Sequence, residues 1–315
     1  MLNRRHLRIK VLQSLYAFYQ CKSEDLDNVE KNLFNSLEKI YDLYIYLLLT
    51  FSELKKYGLY RMEESKKKNI LTDKDINPNK KFVENELINI IENDVNLIYL
   101  SKERKLNWSG DVNQQMFRKI YNEVIKSDIY NHYMNNGIDG FEEDKKFLVE
   151  LFKSDIANSN VLYDYFNDKN ISWVDDLDLV CSMIVKTINS FEKGNKFEIF
   201  NLYKENDDEK AFVSELLLKT ILFDKANETL IDDLTLNWEF DRIAKMDVIL
   251  MKMAITELQV FDNIPIKVTL NEYIEISKYY STPKSNIFIN GILDKAILSL
   301  SKENKLNKVG LGLKN

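Results

Sequence analysis

Glycine and proline are scarce in this chain, which has eight Gly and three Pro among its 315 residues. These two residue types supply most tight turns and helix stops, so their scarcity favours long helices. The first segment also carries an apolar stripe at spacings of three and four, formed by Leu7, Val11, Leu15 and Phe18. The sequence therefore predicts an all-α protein, and it argues against all-β and Gly-rich phosphate-binding folds.

Further helices are predicted at about 26–60, 83–101, 114–135 and 143–154 from the same periodicity. The charged stretch "EESKKKNILTDKDINPNKKF" at 63–82 breaks the periodicity and is predicted to be an exposed loop. Near the C-terminus, Thr269-x-x-Glu272 has the spacing of a capping box and predicts a helix start. Thr282 and Pro283 are predicted as the N-cap and first position of the next helix.

Positive charge is concentrated at the start of an acidic chain. The net charge is −6, yet no acid precedes Glu24, and five basic residues do: Arg4, Arg5, Arg8, Lys10 and Lys22. A local basic cluster suggests an anionic partner. The alternative is a solvated first turn or a disordered basic tail.

In the predicted first helix, two arginines fall on the same face as the apolar stripe. Arg4 and Arg8 lie in line with the stripe, and a buried arginine is costly unless it is paired. We therefore expect the first turn or two to overhang the core, with the arginines free for a partner. Tyr16 lies off the stripe on the Arg5 side, where it can serve either packing or base stacking.

The sequence offers no recognisable catalytic constellation. His6 and His132 lack metal-ligand spacing, and Cys21 and Cys181 form no CxxC pair. We expect no enzyme activity, no metal and no cofactor. The longest apolar stretch, at 40–51, is too short to cross a bilayer, and reduced thiols are typical of the cytoplasm. The sequence therefore predicts a cytoplasmic protein that does not enter a membrane.

Three blocks carry a resemblance to a known family. They are "RRHLRIKVLQSLY" at 4–16, "EKAFVSELLLKTI" at 209–221 with "NWEFDRIAKMDVILMKMAITEL" at 237–258, and "IPIKVTLNEYIEISKYYSTPKSNIFINGILDKAI" at 264–297. The last block is close to a P-x-K-V-x-x-N-E…F-x-N-G-x-L-D pattern. Together the blocks resemble the NusB family of transcription antitermination factors.

This resemblance implies two packed three-helix bundles and a non-catalytic protein. It also implies binding of the single-stranded RNA element boxA in ribosomal RNA transcripts, together with the ribosomal protein NusE. Through that complex the protein would act indirectly on elongating RNA polymerase. The resemblance places RNA contacts at Arg4, Arg5, Arg8, Tyr16, Lys284 and Phe288. It places NusE contacts at Asp241, Arg242 and Asp247.

The middle of the chain departs from the family pattern. We expect the arginine-rich helix at 1–22, a helical insertion or extension at 23–207, the NusB-like core at 208–305 and a flexible tail at 306–315. The long middle segment leaves a second interpretation open, a helical protein-interaction scaffold with weak or lost RNA binding. The accessory domain of an RNA methyltransferase fits less well, because no glycine-rich cofactor-binding region is present.

Overall fold

The structure of the chain is a computed structural model. It describes residues 2–21, 25–173, 175–203, 208–235 and 242–308, except for the side chains of Lys74 and Ile171. Within these ranges all regular structure is helical, which confirms the all-α prediction. None of the helices in the same ranges is both long and apolar enough to cross a membrane.

Fifteen α-helices follow one another through the described ranges. A π-helical turn at Phe152–Ile156 extends the eighth helix, and a 3-10 turn at Ile171–Trp173 precedes the tenth. The helices are α1 (Arg4–Cys21), α2 (Leu26–Ser65), α3 (Asp73–Ile76), α4 (Glu86–Asn93), α5 (Val95–Glu103), α6 (Asp111–Val124), α7 (Asp128–Asn135), α8 (Phe141–Leu151), α9 (Asn160–Lys169), α10 (Leu177–Ser190), α11 (Asp208–Leu222), α12 (Asp224–Leu234), α13 (Lys245–Val260), α14 (Ile266–Tyr280) and α15 (Ser285–Lys302).

Two of the predicted helices are each split in two by a capping side chain. Asp94 separates α4 from α5 and accepts a hydrogen bond from the Leu97 N–H at 2.7 Å. Ser127 separates α6 from α7 and accepts from the Tyr130 N–H at 3.2 Å. Such side chains compete with the helix for backbone hydrogen bonds, so they favour a new helix start.

Both helix starts predicted near the C-terminus are wrong in position. The capping box predicted at Thr269 and Glu272 is wrong, because α14 already begins at Ile266 after Pro265 in the N-cap position. Thr269 is instead buried inside that helix. The N-cap predicted at Thr282 and the first position predicted at Pro283 are wrong, because Lys284 is the N-cap and α15 begins at Ser285.

Contacts divide the chain into two compact units. The first unit comprises Met1–Leu37 and Leu202–Asn315. Its central helix is α13, which contacts α1, α11, α12, α14 and α15. Nearly every side chain from Ile249 to Leu258 is buried, as expected for a helix that is surrounded by others.

The second unit comprises Glu38–Asn201. It has its own core, rich in aromatic rings that meet edge to face around Trp108 and Phe82. Side chains predicted to need burial in this segment are buried: Trp108, Phe117, Tyr121, Phe147 and Leu151. The prediction that the middle of the chain folds as helices is therefore confirmed.

Candidate nucleic-acid interface

The arginine-rich helix α1 begins with a reciprocal cap. Asn3 Oδ1 accepts from the His6 N–H at 3.0 Å, and the Asn3 N–H donates to His6 Nδ1 at 3.4 Å. These two bonds satisfy a donor in the first turn and fix the direction in which the chain enters the helix. His6 therefore serves the cap of the helix.

Arg8 is buried, which contradicts the expectation that it overhangs the core. Its side chain is 1% exposed and donates to both carboxylate oxygens of Glu257, each at 2.7 Å. The pairing compensates for burial of the charge, since burial alone would lower the pKa of Arg8, whereas the net shift raises it. Arg8 is thus an internal tie between α1 and α13.

Two hydroxyl groups complete the environment of Glu257. Thr269 Oγ1 donates to it at 2.8 Å and Tyr273 Oη donates at 3.0 Å. Burial together with the Glu257 carboxylate holds the pKa of Tyr273 well above its ordinary value, so this hydroxyl keeps its proton. The buried cluster joins α1, α13 and α14, because each helix supplies at least one member.

Arg5 points outward and is paired at the edge of the bundle. Its Nε and Nη2 donate to Glu272 at 2.9 and 2.8 Å, while its side chain remains 42% exposed. The hydrogen bonds from Arg5 lower the pKa of Glu272, so that carboxylate stays charged near neutral pH. Because Arg5 uses only Nε and Nη2 among the residues that the structure describes, its Nη1 donors remain available to an anion.

Arg4 is the third arginine of the first turn, and it has a different kind of contact. Its guanidinium carbon lies 4.4 Å from the centre of the Phe212 ring on α11. Stacking of this kind leaves the donors at the edge of the guanidinium exposed. Within the described ranges no carboxylate forms an ion pair with Arg4.

An open groove of about 580 Å³ lies where the first turns of α1 face the start of α14. We call it the α1 groove, and its lining residues are Asn3, Arg4, Arg5, Arg8, Asn263, Ile264, Pro265, Val268 and Glu272. Two arginines, Arg4 and Arg5, and one acid, Glu272, are among these lining residues. This arrangement can hold a phosphate or another small anion through charge-assisted hydrogen bonds.

The remaining predicted RNA contacts lie at other places in the first unit. Tyr16 is 39% exposed and lines a separate pocket of about 260 Å³ with Tyr19 and Lys252. Lys284 is exposed just before α15, and the partly buried Phe288 lines a third, smaller groove. The structure therefore does not gather the predicted RNA contacts into one cluster.

The pocket beside Tyr16 is closed at its base by a polar network. Lys252 is 4% exposed and donates to Asp224 at 2.8 Å and to Glu228 at 2.6 Å. Tyr19 Oη donates to the same Asp224 at 2.6 Å, and this bond together with burial raises the pKa of Tyr19 far above its ordinary value. The network fixes the end of α1 against α12 and α13.

The three predicted partner contacts differ in what the structure shows. Asp241 lies outside the described residues, and Arg242 is exposed. Asp247 is buried and accepts hydrogen bonds from the hydroxyl groups of Ser281 and Ser285, the second at 2.7 Å. Direct contact between Asp247 and a partner is therefore wrong, because the carboxylate is already used to tie α13 to the turn before α15.

Sequence reasoning missed Glu257, Glu272 and Phe212, the residues that decide what each arginine does. Glu272 stood in the quoted block at 264–297, but its partner Arg5 lies 267 positions away. A carboxylate on an otherwise apolar helix is a signal for a buried pair, and Glu257 between Thr256 and Leu258 has that character.

Comparisons with known proteins cover the quoted blocks at 209–221, 237–258 and 264–297, whereas the block at 4–16 lies outside the range of the family match. The NusB family profile matches residues 177–298. Transcription antitermination protein NusB of Salinibacter ruber is 40% identical over 109 residues, which make up 35% of this chain and 68% of that protein. Transcription antitermination protein NusB of Listeria monocytogenes serotype 4a is 39% identical over 88 residues, or 28% of this chain and 69% of that protein.

A solved structure of T. maritima NusB is also similar in sequence, at 24% identity. The alignment covers 51% of this chain and 94% of that one, with a TM-score of 0.30. We draw no structural argument from a score this low. The two curated relatives are enough, since more than two thirds of each is covered at about 40% identity, and the chain belongs to the NusB family.

Proposed function

We propose that this protein is a non-catalytic transcription antitermination factor that binds boxA-type single-stranded RNA of ribosomal RNA transcripts together with the ribosomal protein NusE. The observation that carries the proposal is the α1 groove, which Arg4 and Arg5 both line, Arg4 stacked on Phe212 and Arg5 bound to Glu272 through Nε and Nη2. Membership of the NusB family supports the role in antitermination.

Within this proposal the arginines have different tasks. Arg4 and Arg5 contact phosphates, because their side chains reach the surface. Arg8 is a positioning residue, since its donors are bound to Glu257 inside the bundle. Phosphate contacts supply affinity and make it depend on salt, whereas bases are read by stacking and by hydrogen bonds.

Tyr16 fits the same RNA path along α1. It lies eleven positions after Arg5, which is about 16 Å along a helix and within about 20° of the same face. A strand bound in the α1 groove can therefore follow this face and stack a base on the exposed Tyr16 ring. Lys284, just before α15, and Phe288, in its first turn, form a further candidate contact, which is independent of this path.

The partner surface proposed for NusE is the region before α13 around the exposed Arg242. Asp247 contributes to it by fixing the first turn of α13 through Ser281 and Ser285. RNA polymerase would be reached through the assembled complex.

The proposal is tested by replacing Arg4 and Arg5 together in the Arg4→Gln/Arg5→Gln variant. Binding of a boxA-type RNA is measured over a salt series, with and without NusE. Loss of two phosphate contacts should weaken binding and flatten the slope of log affinity against log salt by about 1.4, at roughly 0.7 per contact.

The matched control is Lys225→Gln/Lys302→Gln, which removes two exposed charges of the same unit away from the α1 groove. The control should bind RNA as the unmodified chain does. Full affinity and an unchanged salt slope in the arginine variant would reject the α1 groove as the RNA site. That result would instead support the protein-interaction scaffold.

A further inference from the structure

A second open groove lies in the unit Glu38–Asn201, between the end of α2 and α6. We call it the α2–α6 groove; its volume is about 640 Å³ and its lining includes Tyr57, Tyr60, Arg61, Gln115, Arg118 and Asn122. The volume falls within the range of about 300–1,000 Å³ that is usual for ligand sites. Its walls combine aromatic rings, guanidinium groups and amides.

The arginines of this groove are distinguished from the lysines around them by their partners. All five lysines of the segment 55–68 form ion pairs with carboxylates: Lys55, Lys56, Lys66, Lys67 and Lys68. In the part of the chain that the structure describes, Arg61 donates to the neutral Asn122 Oδ1 at 2.7 Å and forms no ion pair. Arg118 is exposed and forms no ion pair within the described ranges. Their charges are therefore available to an anion.

The α2–α6 groove also has an exposed aromatic ring in its wall. Tyr60 is 56% exposed, and its ring centre lies 5.9 Å from that of Tyr57. Tyr57 in turn packs edge to face against Tyr121 of the core. The exposed ring is thus held on a rigid aromatic base, which lowers the entropy cost of stacking a flat ligand on it.

We propose that the α2–α6 groove is a second RNA-binding site, which takes an unpaired segment of single-stranded RNA. Arg61 and Arg118 bind phosphates, and the Tyr60 ring stacks on a base. The exposed amides, including Gln115, can pair with base edges without demanding one sequence. Glu64 also lines the groove, but its charge is compensated by Lys67. This site does not depend on RNA binding in the α1 groove.

The test uses the full chain carrying Arg4→Gln/Arg5→Gln, so that remaining affinity reports on the α2–α6 groove. The probe is a fluorescein-labelled twelve-nucleotide oligouridine, and its duplex with oligoadenosine serves as the paired competitor. In this background Tyr60→Ala should weaken binding about tenfold, the effect of losing one stacked base. Arg61→Gln/Arg118→Gln should flatten the salt slope by about 1.4.

Two matched controls separate this site from general charge and from folding. Lys119→Gln removes an exposed charge next to Arg118 in sequence, and Tyr99→Ala removes an exposed ring; neither residue lines the groove. Both controls should bind the oligouridine as the background protein does. Equal loss of affinity in Lys119→Gln and in the arginine variant would overturn the proposal.

Photo-crosslinking locates the RNA directly and distinguishes this site from the first one. With 5-bromouridine in the same oligonucleotide, the crosslinked peptide should contain Tyr57 or Tyr60. Crosslinks confined to 4–21, or oligouridine binding that the Tyr60 and arginine variants leave unchanged, would contradict the second site. Displacement by a poly-glutamate peptide as effective as by unlabelled RNA would also contradict it, since it would indicate a site for acidic protein segments.

Discussion

Arg5 and Arg8 lie on neighbouring turns of α1 and yet are held in very different environments. Arg5 is 42% exposed in its pair with Glu272, whereas Arg8 is 1% exposed in its pair with Glu257. A surface ion pair contributes about 0–1 kcal/mol, but removing one member of a buried pair costs about 3–5 kcal/mol. The same residue type therefore forms a half-exposed ion pair at one position, where we propose RNA contact, and a buried stabilising pair at the other.

This difference predicts the effect of Arg8→Gln on stability. The variant leaves the Glu257 carboxylate buried without its cation, so the free energy of unfolding should fall by about 3–5 kcal/mol. Urea denaturation followed by circular dichroism measures the change. Arg5→Gln is the matched control and should lose no more than about 1 kcal/mol. Similar losses in both variants would contradict the burial of Arg8.

The ion pair between Arg5 and Glu272 should make the stability of the fold depend on pH. The pKa of Glu272 is lowered from its ordinary value of 4.5 by hydrogen bonds from Arg5. A lowered pKa means that the pair stabilises the fold above pH 4.5 and loses that contribution as the pH falls through the folded-state pKa. The free energy of unfolding of the unmodified chain should therefore approach that of Glu272→Gln below pH 4.5. A gap between the two that stays constant from pH 6 to pH 3 would refute this linkage.

At the scale of elements, the N-cap residue Asp94 separates α4 from α5. Asp94 is buried and holds the Leu97 N–H. Loss of an N-cap costs about 0.5–2 kcal/mol, so Asp94→Ala should lower the free energy of unfolding by about that amount. Asn93→Ala, one residue earlier, is the control. Equal stability of Asp94→Ala and the unmodified chain would show that the cap is dispensable.

Helix α1 shows which features can be predicted from the local sequence pattern and which cannot. The apolar stripe was readable from spacing, because Leu7, Val11 and Leu15 follow the helical period and are all buried. The environment of Arg8 was not readable, because its partner Glu257 lies 249 positions away. Lys10, another member of the basic cluster at the start of the chain, is also buried, at 3% exposure. Sequence periodicity predicts which face of a helix is buried. Which charged residues pair with each other depends on the tertiary structure.

At the scale of the whole molecule, the exposed loop predicted at 63–82 is present only in part. Residues 66–72 lie between α2 and α3 and Ile70 is 84% exposed, whereas α2 continues to Ser65, α3 occupies Asp73–Ile76 and Phe82 is buried. We expect trypsin to cut after one of the lysines at 66–68 before it cuts within 86–190, where the backbone is mostly helical. Peptide mapping over time tests this order. Early cleavage spread throughout 86–190 would contradict a stable helical core in that unit.

The central claim is that this member of the NusB family promotes antitermination through RNA bound at the α1 groove. In vitro transcription through a terminator, on a template that encodes a boxA-type element, tests it most directly. With NusE present, the unmodified chain should raise readthrough, and Lys225→Gln/Lys302→Gln should do the same. The Arg4→Gln/Arg5→Gln variant should fold normally and leave readthrough at the level seen without the protein. Full readthrough with that variant, or none with the unmodified chain, would contradict the account.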